Sequence, residues 1–218
     1  MSFPFKKTLW GIVCTFNMFQ LAAQESTGYY FEEFTPGKVI LKNHQFAKGK
    51  FNYDCVNRQM HFLNGNTDMI VENLADIDTV SIDTHRFIPY ENHFLEVFRS
   101  EKSTLFVDWK LEVKETGKKG AMGITTQGSV QAIDVNTRFQ RVNGDQNLDL
   151  SVYKMDTKHT FYVLVKNKMK SFRNEKTFLG LFSKNKQQEI KGFIDAEKIN
   201  MENPNDLLKV LDVYSSAF

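Results

Sequence analysis

Five histidines (His44, His61, His85, His93 and His159) and the thiol of Cys55 are the side chains best suited to moving protons or attacking an electrophile. None of the histidines stands in an HExxH, HxH or His–Cys spacing, so the sequence announces no metal and no cofactor. The densest polar cluster is Asp83-Thr84-His85-Arg86, followed by Glu91-Asn92-His93. A hairpin folded between them brings Asp83, His85 and His93 within reach of one ion. The same fold makes Asp83, His85, Glu91 and His93 the members of a loop-borne hydrolytic site. Loop histidines beside acids are common without either role. A reactive Cys55 needs a cationic neighbour to lower its pKa. Alternation instead places it with Phe51 and Tyr53 on one strand face, as a small buried side chain. The glycines of Gly117–Gly123 lack the lysine-serine ending of a phosphate loop, and no GxSxG element is present. Glu32-Glu33 has the residue type of a glycosidase pair, but solvated strand ends account for it equally well.

Elements of period two must position these residues. In Thr104–Lys114, Leu105, Val107, Trp109, Leu111 and Val113 share one face. Thr104, Asp108, Lys110, Glu112 and Lys114 share the other, with Phe106 as the exception. The same alternation marks Val39–Leu41 after a Pro36-Gly37 turn, then Phe46–Cys55 and Gln59–Leu63. After Asn64-Gly65-Asn66 it returns in Thr67–Val71, then in Thr79–Ile82, Arg86–Tyr90 and Phe94–Phe98. Gly117–Gly120 and Arg141–Asn147 read as loops, Ala121–Asp134 as an edge strand or loop, and Leu150–Met155 and Thr160–Val165 as strands. Near Lys176 the period becomes about 3.6. Ile190, Phe193 and Ile194 form one stripe. Asn203-Pro204 opens a second helix with Leu207, Val210, Leu211 and Tyr214 on its apolar face. The expected fold is mainly β, an antiparallel meander closing into a sandwich or barrel, with a C-terminal pair of short α-helices. The β domain is expected over 24–176 and the helical segment, packed on it, over 177–218.

Residues 1–23 have the form of an export signal: two lysines, an uncharged apolar run from Thr8, and Ala22-Ala23 at the exit. Cys14 follows bulky Val13, which disfavours lipid attachment. Cleavage leaves 195 residues with 26 basic and 26 acidic side chains, one thiol and no internal disulfide. A neutral mature chain argues against nucleic acid as partner, and no later stretch has the length of an integral membrane span. The location expected is periplasmic or extracellular.

Charge is distributed unevenly. Residues 151–192 carry ten Lys or Arg and three acids, whereas 24–150 carry fourteen and eighteen. Lys154, Lys158, Lys166, Lys168, Lys170, Arg173 and Lys176 therefore form a candidate basic surface for an anionic envelope polymer or lipid headgroup. Compensation by acids elsewhere in the fold is the plainer alternative.

The segments Gly37-Lys38-Val39-Ile40-Leu41, Phe51-Asn52-Tyr53-Asp54, Arg86-Phe87-Ile88-Pro89 and Phe94-Leu95-Glu96-Val97 carry a resemblance. It continues through Leu105-Phe106-Val107, Ile190-Lys191-Gly192-Phe193-Ile194 and Asp206-Leu207-Leu208-Lys209-Val210-Leu211. Together they resemble a family of uncharacterised secreted proteins of Bacteroidetes. The resemblance implies a β-rich body with a helical tail in the envelope or outside, and no catalytic residue. The function expected is a non-enzymatic exported binding or structural module of the cell envelope, whose partner is an envelope protein or an anionic polymer. The hydrolase is the alternative.

Overall fold

The computed structural model describes residues 28–115 and 153–215. The expected export signal, the expected loops at Gly117–Gly120 and Arg141–Asn147, and the Ala121–Asp134 stretch lie outside the described residues. The chain is mainly β. Twelve strands are described: β1 (Thr35–Leu41), β2 (Phe46–Asp54), β3 (Gln59–Asn64), β4 (Thr67–Ile70), β5 (Ile77–Ile82), β6 (His85–Tyr90), β7 (His93–Arg99), β8 (Thr104–Asp108), β9 (Leu111–Glu115), β10 (Tyr153–Thr157), β11 (Thr160–Val165) and β12 (Lys168–Phe172). Helices α1 (Glu175–Leu179), α2 (Lys184–Ala196) and α3 (Pro204–Tyr214) follow. Ten strands form one antiparallel sheet in the order β12-β11-β8-β7-β6-β5-β1-β2-β3-β4, and β9 pairs with β10 in a second.

Register explains how one sheet builds one core. Directly opposed residues run Ala47, Val39, Val80, Phe87, Glu96, Val107, Phe161, Phe172 across eight strands. Opposed side chains share a face, so this row and its even-spaced neighbours define the inner face. The sheet then folds over: Phe51, Tyr53, Cys55 and Met60 of the β2–β3 arm pack with Val80, Ile82, Phe87 and Phe94. The Tyr53 hydroxyl donates to the Phe94 carbonyl across the two layers at 3.2 Å. The sheet does not close, so this is the geometry of a sandwich rather than a barrel. Gly37 sits where β5 lies against β1. A Cβ there would lie 2.4 Å from the backbone carbonyl oxygen of Ser81 on that paired strand and 3.1 Å from the Phe51 ring, so glycine lets the neighbouring strand approach this closely.

The other end of the inner face is covered by the helices. Leu207, Val210 and Leu211 of α3, Ile190 and Ile194 of α2, and Phe178 of α1 pack on Leu105, Val107, Phe161 and Phe172. Burying these side chains stabilises the tail by roughly 1.5–3 kcal/mol each. Asn174 caps α1 by accepting from the Thr177 N–H, and Asn203 caps α3 by accepting from Asn205.

Four expectations need correction. Pro36-Gly37 is not a turn but lies inside β1, opposite Lys50 and Gly49. The long strand from Thr104 breaks at Trp109-Lys110, because the Trp109 indole turns inward to Glu96 while Leu111 N–H is drawn to the Cys55 carbonyl. The matching break in the partner strands falls at Lys158-His159, where Lys158 N–H donates to the Lys110 carbonyl. Asp108, expected to face water, is buried. Three helices, not two, close the chain, and a twelfth strand, Lys168–Phe172, precedes them.

Candidate functional site

The basic residues fall on and beside the β11–β12 hairpin, which ends the sheet among the described residues. Lys166 and Asn167 form its two-residue turn, both with left-handed φ (49° and 62°). Lys168 and Lys170 lie opposite Val165 and Val163, exposed at the edge. Alternate residues on one strand face stand about 7 Å apart, which sets the spacing of their charges. Past the strand end, Arg173 donates from Nε to the buried Thr160 hydroxyl at 2.9 Å. That bond fixes the guanidinium beside the base of the hairpin, where Lys158 and Lys176 are also exposed. Lys154 lies in β10, and its side chain is outside the described residues. From Lys166 to Arg173 these cations follow the sheet edge for about 20 Å, with Lys168 and Lys170 on the inner-face side and Arg173 on the outer one beside Thr160.

Pairing separates this strip from the other cations of the same region. On the helices, Lys186 pairs with Glu189, Lys191 with Glu175 and Asp195, and Lys209 with Asp206. Their partners hold the Lys186 and Lys191 ammonium groups above the usual lysine value. Among the described residues, no carboxylate pairs with Lys158, Lys166, Lys168, Lys170, Arg173 or Lys176. Among the described residues, carboxylate partners compensate the helical cations and not those of the hairpin.

The hydrolytic candidates are dispersed. His85 opens β6 and His93 opens β7, and register sends their side chains to opposite faces. Asp83 and Glu91 lie in two-residue turns at the two ends of β6, about 17 Å apart, and their left-handed φ values (49° and 53°) serve those turns. These four residues therefore do not form one site. Cys55 is 5% exposed, and burial pushes its thiol up to about 12, which leaves it protonated and unreactive at neutral pH.

Each of three histidines instead meets a carboxylate from another element. On the inner face, His85 Nδ1 lies 2.5 Å from Glu96 Oε1, and the Trp109 indole N–H donates to Glu96 Oε2. The rings of Tyr30 and Phe31 stand edge-on to His85 at 5.3 and 5.2 Å, and burial, then Glu96, raises the Tyr30 phenol. On the β3–β4 hairpin, His61 Nδ1 lies 2.8 Å from Asp68, whose second oxygen accepts from the Tyr29 hydroxyl at 2.7 Å. Burial first, then that bond, raises the Tyr29 phenol. On the outer face, His93 Nε2 is 3.8 Å from Asp108 Oδ2, which accepts from Arg58 at 3.1 Å. Burial lowers the His93 pKa against the pull of Asp108.

Glu96 had one visible sign in the sequence, an acid at core parity between Phe94 and Phe98; the partners of all three carboxylates had none. Chemically, each pair places an imidazole against a carboxylate, as a general base requires, yet no serine, threonine or cysteine hydroxyl or thiol is hydrogen-bonded to any of the three imidazoles among the described residues. The pairs tie strands together. Nor does any group of three metal-ligating side chains converge among the described residues, and no helix there is long and apolar enough to cross a membrane. Comparison with family models, with curated proteins and with solved structures finds no match to this chain.

Proposed function

We propose that this chain is a non-enzymatic binding module, exported through residues 1–23, that holds an anionic polymer of the cell envelope along its β11–β12 hairpin. The observation that carries this reading is the strip of cations from Lys158 to Lys176 with no carboxylate partner among the described residues, set on an open sheet edge. Edge lysines also discourage strand-to-strand aggregation. That role accounts for Lys168 and Lys170, but not for Arg173 fixed on Thr160 or for the turn cation Lys166. A repeating polyanion suits a linear strip, because successive charges meet successive cations, while a compact anion would use only one or two.

Polyphosphate and polygalacturonate serve as probes. The mature chain should bind at low salt and release at about 1 M salt, where screening shortens to about 3 Å. Charge reversal by K168E/K170E should weaken binding by more than about tenfold, at roughly 1 kcal/mol for each cation near an anionic surface. Melting should be unaffected, because both side chains are exposed. Absence of low-salt binding to either polyanion, or binding indifferent to K168E/K170E, contradicts the reading. N-terminal sequencing of the exported protein should begin at Gln24.

A further inference from the structure

A second cationic surface lies on the outer face, across the neighbouring strands β6, β5, β1 and β2 in the middle of the sheet. Register places Lys48 of β2 directly opposite Lys38 of β1, Lys38 opposite Ser81 of β5, and Ser81 opposite Arg86 of β6. Four neighbouring strands thus present three cations and a hydroxyl in one row, about 14 Å along the curved sheet at the usual strand spacing. Lys50 joins it one step along β2, opposite Pro36. All four cations are exposed, and none pairs with a carboxylate among the described residues. Arg86 is held by its bond to Thr79 Oγ1 at 3.2 Å. The nearby acids are Asp78, which accepts from the Thr79 hydroxyl, and Asp83 in the β5–β6 turn. Like charges directly across a strand pair are destabilising, so the Lys38–Lys48 opposition carries a cost that an external anion relieves.

The next row on the same face is apolar on β2 and β1 and ends in a buried threonine on β5. Phe46 lies opposite Ile40, and Ile40 opposite Thr79. Phe46 is 62% exposed, more than any other large apolar side chain described. A soluble polyanion has no use for that ring. A bilayer surface does, since its headgroups meet the cations while the aromatic side chain enters the acyl boundary beside them.

We infer that the outer face of the β1–β2 hairpin, with Lys38, Lys48, Lys50, Arg86 and Phe46, docks on an anionic lipid surface. This site is separate from the β11–β12 strip and does not depend on the function proposed for it. Its charge was hidden because Thr35–Lys50 holds four lysines and no acid inside a longer region that is net acidic.

The test is co-sedimentation of the mature chain with vesicles of phosphatidylglycerol and phosphatidylcholine in equal parts, and with phosphatidylcholine alone. Binding is expected to the anionic vesicles only, and to be lost at about 1 M salt. K38E/K48E should weaken it by at least about 30-fold, and F46S by roughly tenfold. The neutral pair K38Q/K48Q, which relieves the opposition within the fold, should also weaken binding while melting no lower than the parent. K168E/K170E should change vesicle binding by less than about twofold, as expected of a distant, independent site. The inference is overturned by absent binding at low salt, or by binding indifferent to K38E/K48E. It is equally overturned by self-association that F46S abolishes without any vesicle binding, which would make this face a contact between copies of the chain.

Discussion

Glu96 is the one charged residue in the row that crosses the inner face, and it survives there because two donors meet its two oxygens. A buried carboxylate stripped of such partners costs several kcal/mol, and so does a donor left behind without its acceptor. E96A should therefore lower unfolding free energy by about 3 kcal/mol, and E96Q, which keeps an acceptor, by about half as much. Urea denaturation measures both, and equal losses would mean that packing rather than hydrogen bonding holds the site. The histidines give a pH signature. Burial depresses His93 and His159 below the ordinary 6.5. Unfolding returns each to that value, so below it the unfolded chain binds more protons than the folded one. Their contribution is complete above about pH 6.5 and is lost as pH falls toward the folded values. Melting temperature should drop between about pH 7 and about pH 5, with a shallower drop for H93Q; an H93Q slope as steep as the parent's contradicts this. At this scale little was legible in advance. Cys55 and the core parities follow from alternation, but Arg58 reaches Asp108 across 50 residues, and only the folded register brings such pairs together.

Among the elements, α3 decides whether the tail is scaffold or docking face. Its stripe at Leu207, Val210 and Leu211 is buried in the core beside β7 and β8, while Val213 is 55% exposed. L211A should cost about 2–5 kcal/mol and V213S less than about 0.5, both by urea denaturation. A small loss at Leu211 would show that the helix is not part of the core. The period of 3.6 and the Asn203-Pro204 start made α3 readable. By contrast, α1 spans five residues, fewer than two turns, and gives no period to detect. Strand β12 was hidden because its inner-face positions are Lys168, Lys170 and Phe172: an edge strand protected by lysines loses the alternation that identifies interior ones. The break at Trp109 escaped for another reason. The alternating residues continue past it, and the bend comes from a side-chain bond to Glu96 and a backbone bond to Cys55.

For the whole molecule, hairpins were readable from turn chemistry, whereas the return of β5 to pair with β1 rather than β4 was not. With that crossover the sheet of described strands ends on β4 and β12. The net charge of residues 24–218 conceals two cationic surfaces, because acids elsewhere cancel them in a sum that ignores position. A polyanion held on the β12 edge must cover the backbone there, and hydrogen exchange with and without polyphosphate reads that cover residue by residue. An edge strand has outward amides with no strand to pair with, so a ligand lying on it slows their exchange. Slowed exchange confined to Lys166–Lys176 and the adjoining Lys158 is the result expected. Unchanged exchange there under saturating polyphosphate, or protection confined to other strands, would contradict binding at this edge.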